Sequence, residues 1–310
     1  MQPTPRLWLP GLVACGFIGV AAQGPGDRPE AAMAYEAPSV EASSEAMGPP
    51  YADAREAELR GDVRVTAFQR AYGALIDSTS IQRNDLVFHL ADHAIYFQDG
   101  RMLAEERLDR RDRCDSIFYH YPLDMPTEPE PLPDEPVRLC TDVQEVLWGR
   151  TETQIRRNAR SATFIGRRIF VNDVVADALV DVERDLRDAA SREPAVAAWI
   201  DDVHVAYSFI DRGIAGTRTR SQHSWGLAVD FVPASYEGRQ VYWRWTRAWN
   251  RSGWHQVPLE DRWSPPAGVI EIFEHHGFLW GGKWAHYDTV HFEYRPEILE
   301  YNRLLAAAEQ

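Results

Sequence analysis

Apolar residues recur at helical spacing in several separate stretches of this chain. The clearest example is the set Val175, Leu179, Val182 and Leu186, which follows Asn172 and Asp173, either of which can cap a helix. Residues 65–76 show the same period. A short helix is predicted for residues 269–276, between Pro265-Pro266 and Gly277, and a terminal helix for residues 295–308.

Strand-like patterns lie between these helices. Residues 86–103 alternate and contain turn signals near Asp92-His93 and Asp99-Gly100. Residues 203–210 and 289–292 favour strands, and Leu227-Ala228-Val229 leads into Asp230 as a buried strand. The mixture predicts an α+β fold in which a small antiparallel sheet with flanking helices is preceded by a β-containing N-terminal region.

The N-terminal residues have the character of a targeting segment. Residues 7–22 are mostly apolar and too short for a spanning helix, so residues 1–22 are predicted to be a signal peptide. Val20-Ala21-Ala22 suits ordinary cleavage, whereas Leu12-Val13-Ala14-Cys15 resembles a lipoprotein signal with Cys15 as the lipidated residue. Both alternatives predict export to the periplasm or cell envelope, the second with a lipid anchor to the membrane.

Composition divides the remainder into three parts. Residues 23–60 are rich in Ala, Glu, Pro and Gly and are predicted to be a disordered linker. Residues 61–150 form an accessory region with no evident activity, and residues 151–310 form the domain that carries the chemistry. Residues 122–136 include six prolines and should be an exposed loop. In an exported chain, Cys114 and Cys140 are predicted to form a disulfide that closes this loop, the alternative being two free buried thiols.

Two segments carry the candidate chemistry. His223 and Asp230 lie seven residues apart around a turn at Gly226, and His291 follows in a later strand. Two imidazoles and one carboxylate are the ligands expected of a catalytic zinc ion, so these three residues are predicted to bind Zn²⁺. Asp288, three residues before His291, is the candidate base.

These segments resemble a known family. Ser-x-His-x-x-Gly-x-Ala-x-Asp at 221–230, followed by Trp-x-x-x-Asp-x-x-His-Phe-Glu at 284–293, is similar to zinc D-alanyl-D-alanine carboxypeptidases, vancomycin-resistance dipeptidases and phage L-alanyl-D-glutamate endolysins. The resemblance covers about the last half of the chain. It implies the Hedgehog/DD-peptidase fold, hydrolysis of an amide bond in peptidoglycan stem peptides, and zinc binding by His223, Asp230 and His291 with Asp288 as base.

The resemblance also implies substrate contacts. An upstream arginine contacts the scissile carbonyl in that family, and Arg212 is its match here, with Arg218 and Arg220 as competitors. Apart from the resemblance, Trp225 and Trp284 are predicted to line the pocket, the alternative being plain core residues, and Ser221 to support the ligands or contact substrate.

Two alternatives stay open. Hedgehog-like signalling domains share this ligand set, so a catalytically silent, zinc-containing module that binds the cell wall or a partner is the second hypothesis. Such a module would usually lack an acid at Asp288. An envelope scaffold acting through residues 61–150 is the third. A nucleic-acid partner is not expected, because the net charge is −14.

Overall fold

The computed structural model describes residues 49–90, 92–135, 137–214 and 219–309, and residues 47–310 form one compact unit. The predicted signal segment, its Cys15, and residues 23–48 of the predicted linker lie outside the described residues. Among the helices that are described, none combines the length and apolar character needed to cross a membrane.

The described part of the chain contains groups of helices and groups of antiparallel strands, which confirms the predicted α+β fold class. The helices are α1 (Pro49–Gly61), α2 (Val63–Tyr72), α3 (Asp142–Trp148), α4 (Glu152–Arg157), α5 (Asp173–Ala190), α6 (Pro194–Asp202), α7 (Trp243–Trp249), α8 (Ala267–His275) and α9 (Pro296–Ala308). The strands are β1 (Ser78–Gln82), β2 (Asp85–Leu90), β3 (His93–Gln98), β4 (Arg101–Ala104), β5 (Ala159–Phe164), β6 (Arg167–Asn172), β7 (Val203–Tyr207), β8 (Ala228–Pro233), β9 (Phe278–Trp280) and β10 (His291–Tyr294).

All strand pairs in the three sheets are antiparallel. The N-terminal sheet has the order β1-β2-β3-β4, the C-terminal sheet has the order β7-β8-β10-β9, and β5-β6 is a separate hairpin. The predicted turn at Asp99-Gly100 is present, with positive φ at both residues. Strand β10 begins at His291, two residues later than predicted, and β7 ends at Tyr207, three residues earlier.

The helices follow the sequence signals. Asn172, rather than Asp173, caps α5, because its side chain accepts a hydrogen bond from the Val174 N–H at 3.2 Å. Helix α8 begins directly after Pro266, and Gly277, at φ 89°, follows its end. Helix α9 confirms the predicted terminal helix.

The predicted linker requires a correction at its C-terminal end. Helix α1 occupies residues 49–61, and its Leu59 side chain is buried in the main hydrophobic cluster. Proline and acidic residues made this stretch look like linker, yet one well-placed leucine packs it against the fold. A disordered linker therefore cannot extend to residue 60.

The accessory region does not form a separate domain. A single hydrophobic cluster contains residues from both sides of the predicted boundary at 150, including Phe68 and Phe88 on one side and Phe273 and Phe292 on the other. Helix α2 packs against α9, joining the N-terminal region to the C-terminal end of the chain. The predicted regions 61–150 and 151–310 therefore share one hydrophobic core.

The proline-rich loop is present and closed as predicted. Residues 122–135 contain no helix or strand. Cys114 and Cys140 form a disulfide with Cα atoms 5.4 Å apart, so the alternative of two free thiols is wrong. The bridge joins residues 26 positions apart, and it fixes both ends of the segment that carries this loop.

Candidate metal centre

The three predicted ligands converge in the structure. Asp230 in β8 and His291 in β10 are directly paired across neighbouring antiparallel strands, and His223 lies on the 3₁₀ turn Gln222–Trp225 just before β8. His223 Nε2 is 3.2 Å from both Asp230 Oδ1 and His291 Nδ1, and His291 Nδ1 is 2.9 Å from Asp230 Oδ1. All three side chains are buried. Within the described residues, this is the group of His, Cys, Asp and Glu side chains that could hold a metal ion.

The turn before β8 depends on Gly226. Its φ of 68° is left-handed, and a Cβ at this position would lie 2.7 Å from the Asn172 backbone nitrogen. Glycine is therefore needed both for the turn and for its close approach to β6. This turn sets His223 above the strand that carries Asp230.

Hydrogen bonds at the far side of each imidazole orient the two rings. His223 Nδ1 lies 2.7 Å from the Ser208 carbonyl oxygen, and His291 Nε2 lies 3.2 Å from Glu293 Oε2. Both acceptors require an N–H on the ring nitrogen they face, which leaves His223 Nε2 and His291 Nδ1 directed at Asp230. Two imidazole nitrogens and one carboxylate oxygen with their outer partners in place fit a zinc ion.

Electrostatics at the cluster favour charge separation. Burial alone would raise the pKa of Asp230, but His223 and His291 hold that pKa well below its usual range. Burial opposes the charged form of His291, yet hydrogen bonds to Asp230 and Glu293 raise its pKa to about 10. The metal-free cluster therefore retains a proton near neutral pH, and a metal has to displace it.

Asp288 lies beside this cluster, at the start of the turn into β10. Its backbone N–H donates to the Gly281 carbonyl at 3.0 Å, and the residue bridges to Tyr242. Burial and, next, the Asp230 carboxylate raise the pKa of Asp288 to about 7, against the opposing effects of His291 and Arg212. A carboxyl group that titrates near neutrality can both accept and return a proton.

Of the two candidate arginines that the structure describes, Arg212 is the one that reaches the centre. Its Nη2 atom is 4.0 Å from Asp230 Oδ2, and its backbone N–H donates to Ser224 Oγ. Arg220 is instead paired with Asp211 at 2.9 Å and lies over the Trp225 ring. Arg218 lies outside the described residues. The geometry favours Arg212 over Arg220.

Two of the three predicted pocket residues have structural roles. Trp225 is fully buried, and its Nε1–H donates to the Gly149 carbonyl at 2.9 Å, so it has the position of the alternative, a plain core residue. Ser221 caps the 3₁₀ turn by accepting from the His223 N–H, which matches ligand support rather than substrate contact. Trp284 does lie at the centre, with its ring 5.5 Å from the His291 ring.

Sequence reasoning missed two residues that shape the centre. Tyr207 is paired with Asp230 across β7 and β8, and its ring stacks on His223 at 6.4 Å. Burial, followed by the nearby Asp230 and Asp288 carboxylates, raises the pKa of Tyr207. Glu293 accepts a hydrogen bond from the His291 ring. The sequence could have identified Glu293, because residues two apart on a strand share a face.

A buried chain of polar contacts links the centre to the N-terminal region. Arg295 lies 3.6 Å from Glu293 and donates to Glu297 at 2.6 Å. Glu297 in turn accepts from the Tyr72 hydroxyl of α2 at 2.8 Å. The region predicted to be accessory therefore helps to hold the residue that orients His291.

Replacing Glu293 by Gln is expected to weaken zinc binding about 10–100-fold, because the neutral amide accepts less strongly from the His291 N–H. The measurement is competition with a chromogenic chelator. Glu271→Gln, an exposed acid on α8, is the control and should bind zinc as the wild type does. Equal affinity in the two variants would remove Glu293 from the centre.

Comparison with known proteins supports the resemblance. The model of the family described as D-alanyl-D-alanine carboxypeptidase matches residues 215–294, a range that contains all three predicted ligands and Asp288. Searches of curated proteins and of solved structures gave no significant match. The resemblance drawn from the two sequence segments is thus confirmed for this part of the chain.

Proposed function

Since residues 215–294 match the D-alanyl-D-alanine carboxypeptidase family, we propose that this chain is an exported zinc metallopeptidase. Its proposed substrate is an amide bond in peptidoglycan stem peptides. The observation that carries the proposal is the convergence of His223, Asp230 and His291 to within 3.2 Å of one another beside Asp288.

The residues of the centre have different roles in the proposed hydrolysis. His223, Asp230 and His291 hold zinc, which supplies Lewis acidity toward the attacking water and the scissile carbonyl. Asp288 accepts a proton from that water and passes it to the leaving amine. In the metal-free protein, burial and the Asp230 carboxylate raise the pKa of Asp288, which makes it a better proton acceptor than a carboxylate in water.

Arg212 supplies positive charge at the same place. About half of its side chain is exposed, so its guanidinium can reach a bound peptide as well as the cluster. Charge that develops on the carbonyl oxygen is stabilised by a cation placed in advance. The exposed edge of Tyr207 and the ring of Trp284 flank the position that the peptide would take.

The competing proposal is a silent zinc-containing module. Asp288 argues against it, because a module that only binds has no use for a partly buried acid whose pKa is raised at the edge of a metal centre. Burial of such an acid costs stability whether or not the acid reacts, so a role in the reaction is the simplest reason for its position at the centre. The enzyme is therefore the better account of the same residues.

Export is part of the proposal and rests on separate support. The Cys114–Cys140 disulfide fits an oxidising compartment such as the periplasm or the outer cell envelope. Both readings of the N-terminal sequence, cleaved signal and lipoprotein signal at Cys15, lead to that location.

Mass spectrometry of purified peptidoglycan fragments, after incubation with the mature protein, tests the function. We expect zinc-dependent release of a defined product, lost with chelator and in His223→Ala. The mass of the product distinguishes a terminal D-Ala-D-Ala bond from an L-Ala-D-Glu bond or a cross-link. If folded, zinc-loaded protein cleaves no fragment, the silent binding module becomes the better proposal.

A further inference from the structure

Two tryptophans of helix α7 are displayed to solvent. Trp245 and Trp249 are 55% and 66% exposed, whereas the other described tryptophans are buried or partly buried. They are four residues apart on α7 and therefore share one face of the helix. Large exposed aromatic surface is costly in water and marks an interaction site when it is grouped in this way.

The second of these rings borders a groove of about 650 Å³. The other groove residues are mainly polar, and they offer carboxylates, amides and one guanidinium. They include Glu237, Arg239, Gln240, Asn250, Gln256, Glu260 and Asp261. One flat ring beside several hydrogen-bonding side chains is the chemistry that recognises a sugar, whose C–H face stacks on the ring while its hydroxyl groups find polar partners.

The wall of the groove is formed before any ligand arrives. Arg262 is buried, lies 4.0 Å from the Tyr287 ring centre, and donates to the carbonyl oxygens of Val257 and His255. Backbone hydrogen bonds from Gln240 to Asp261 and from Trp263 to Gln240 fix the opposite side. A preformed wall lowers the entropic cost of binding.

The tryptophan face is continuous with the metal centre. Tyr242, directly before α7, bridges to Asp288, and the Trp243 N–H donates to the Tyr287 carbonyl at 3.0 Å. The Tyr242 ring lies 5.8 Å from the Trp245 ring. Tyr242 therefore connects the backbone of the candidate base to the ring of Trp245, which lies one turn of α7 before Trp249.

Charge narrows the choice of ligand. Three carboxylates and one guanidinium line the groove, on a protein with a net charge of −14. Arg244 and Arg247 lie over the Trp243 ring rather than among the groove residues. An anionic polymer or an anionic lipid surface would be repelled at this groove, whereas a neutral sugar chain would not.

We propose that Trp245, Trp249 and the adjoining groove form a binding subsite for a neutral oligosaccharide chain. The choice of a glycan rests partly on the proposed function, because peptidoglycan joins its stem peptides to a sugar strand. A substrate held along this face would present its peptide to Asp288 and the metal ligands. The subsite would thus favour peptides still attached to glycan over free peptides.

Calorimetric titration of the zinc-loaded protein with chitotetraose, the tetramer of N-acetylglucosamine, tests the subsite without hydrolysis. We expect Trp249→Ala and Trp245→Ala each to weaken binding about tenfold, the size expected when one stacked ring is lost. Trp249→Phe should restore most of the affinity. The control is Val180→Ala, an apolar side chain of α5 that is 68% exposed, and it should bind as the wild type does.

The outcomes separate this subsite from the peptidase itself. No saturable binding by the wild type, or unchanged binding in both alanine variants, would overturn the sugar subsite whatever the protein hydrolyses. If the alanine variants lose binding to phosphatidylglycerol vesicles while their binding of chitotetraose equals that of the wild type, the face binds a membrane and not a sugar. If the subsite is correct, Trp249→Ala lowers kcat/KM on glycan-linked peptide several-fold and leaves it unchanged on free peptide. Absence of all hydrolysis with chitotetraose binding intact would contradict only the proposed function.

Discussion

Replacing Asp288 by Asn is expected to reduce turnover about 10²–10⁴-fold while zinc stays bound. The amide cannot accept the proton of the attacking water, and it cannot return a proton to the leaving amine. The three ligand side chains are unchanged by the substitution. Burial and the Asp230 carboxylate raise the pKa of Asp288, so a neutral amide at this position should also be tolerated by the fold.

Steady-state hydrolysis of peptidoglycan fragments, together with zinc content by atomic absorption, measures this prediction. Asp201→Asn, at an exposed position at the end of α6, is the matched control and should keep full activity. A drop in zinc content parallel to activity would move Asp288 into the ligand set. Retained turnover with zinc bound would assign the base to another group.

Replacing Lys283 by Met is expected to destabilise the protein by about 3–5 kcal/mol. Lys283 is the only lysine of the chain and is buried. Its ammonium lies 2.7 Å from Glu274 Oε1 and donates to the carbonyl oxygens of Pro122 and Leu123 at 3.0 and 3.1 Å. Methionine keeps the volume but leaves two buried carbonyls without their donor and the Glu274 carboxylate without its cation, with the Tyr121 hydroxyl still donating to it.

Urea unfolding measures this loss as a shift of the transition midpoint. The control, Arg192→Met, also replaces a cation by methionine, but it removes an exposed ion pair with Asp188. It should lower the free energy of unfolding by at most about 1 kcal/mol. The double variant Lys283→Met, Glu274→Leu should regain part of the stability, since no charge is then left unpaired. Equal midpoints for Lys283→Met and Arg192→Met would show that the contacts of Lys283 with Glu274 and the proline-rich loop contribute nothing to stability.

The residues of the candidate metal centre could be identified from the sequence because each of its two segments is short, although the pairing of β8 with β10 that brings them together is not local. His223, Gly226 and Asp230 fall within eight consecutive residues, and the turn and strand they encode can be read from neighbours along the chain. His291 and Asp288 required only the alternation of a strand and a three-residue spacing. Each of these features depends on backbone geometry that a short segment specifies by itself.

The contacts that could not be predicted join distant segments. Trp225 looked like a pocket wall because it neighbours a ligand, yet its indole is used to bind the Gly149 carbonyl in the interior. The polar contacts that link Tyr72 to Glu293, and the hydrogen bond from Lys283 to the Pro122 carbonyl, depend on how the N-terminal and C-terminal halves of the protein pack. The same packing gives residues on both sides of position 150 a common hydrophobic core, which composition alone does not reveal.

We propose that one zinc ion, held by His223, Asp230 and His291, is required for peptide hydrolysis. Titrating metal-free, folded protein with zinc while following the release of peptidoglycan fragments tests it most directly. We expect turnover to rise in proportion to added zinc and to reach a plateau at about one equivalent, as a single site requires. Full turnover by the metal-free protein, or none at all after zinc is bound, would contradict it.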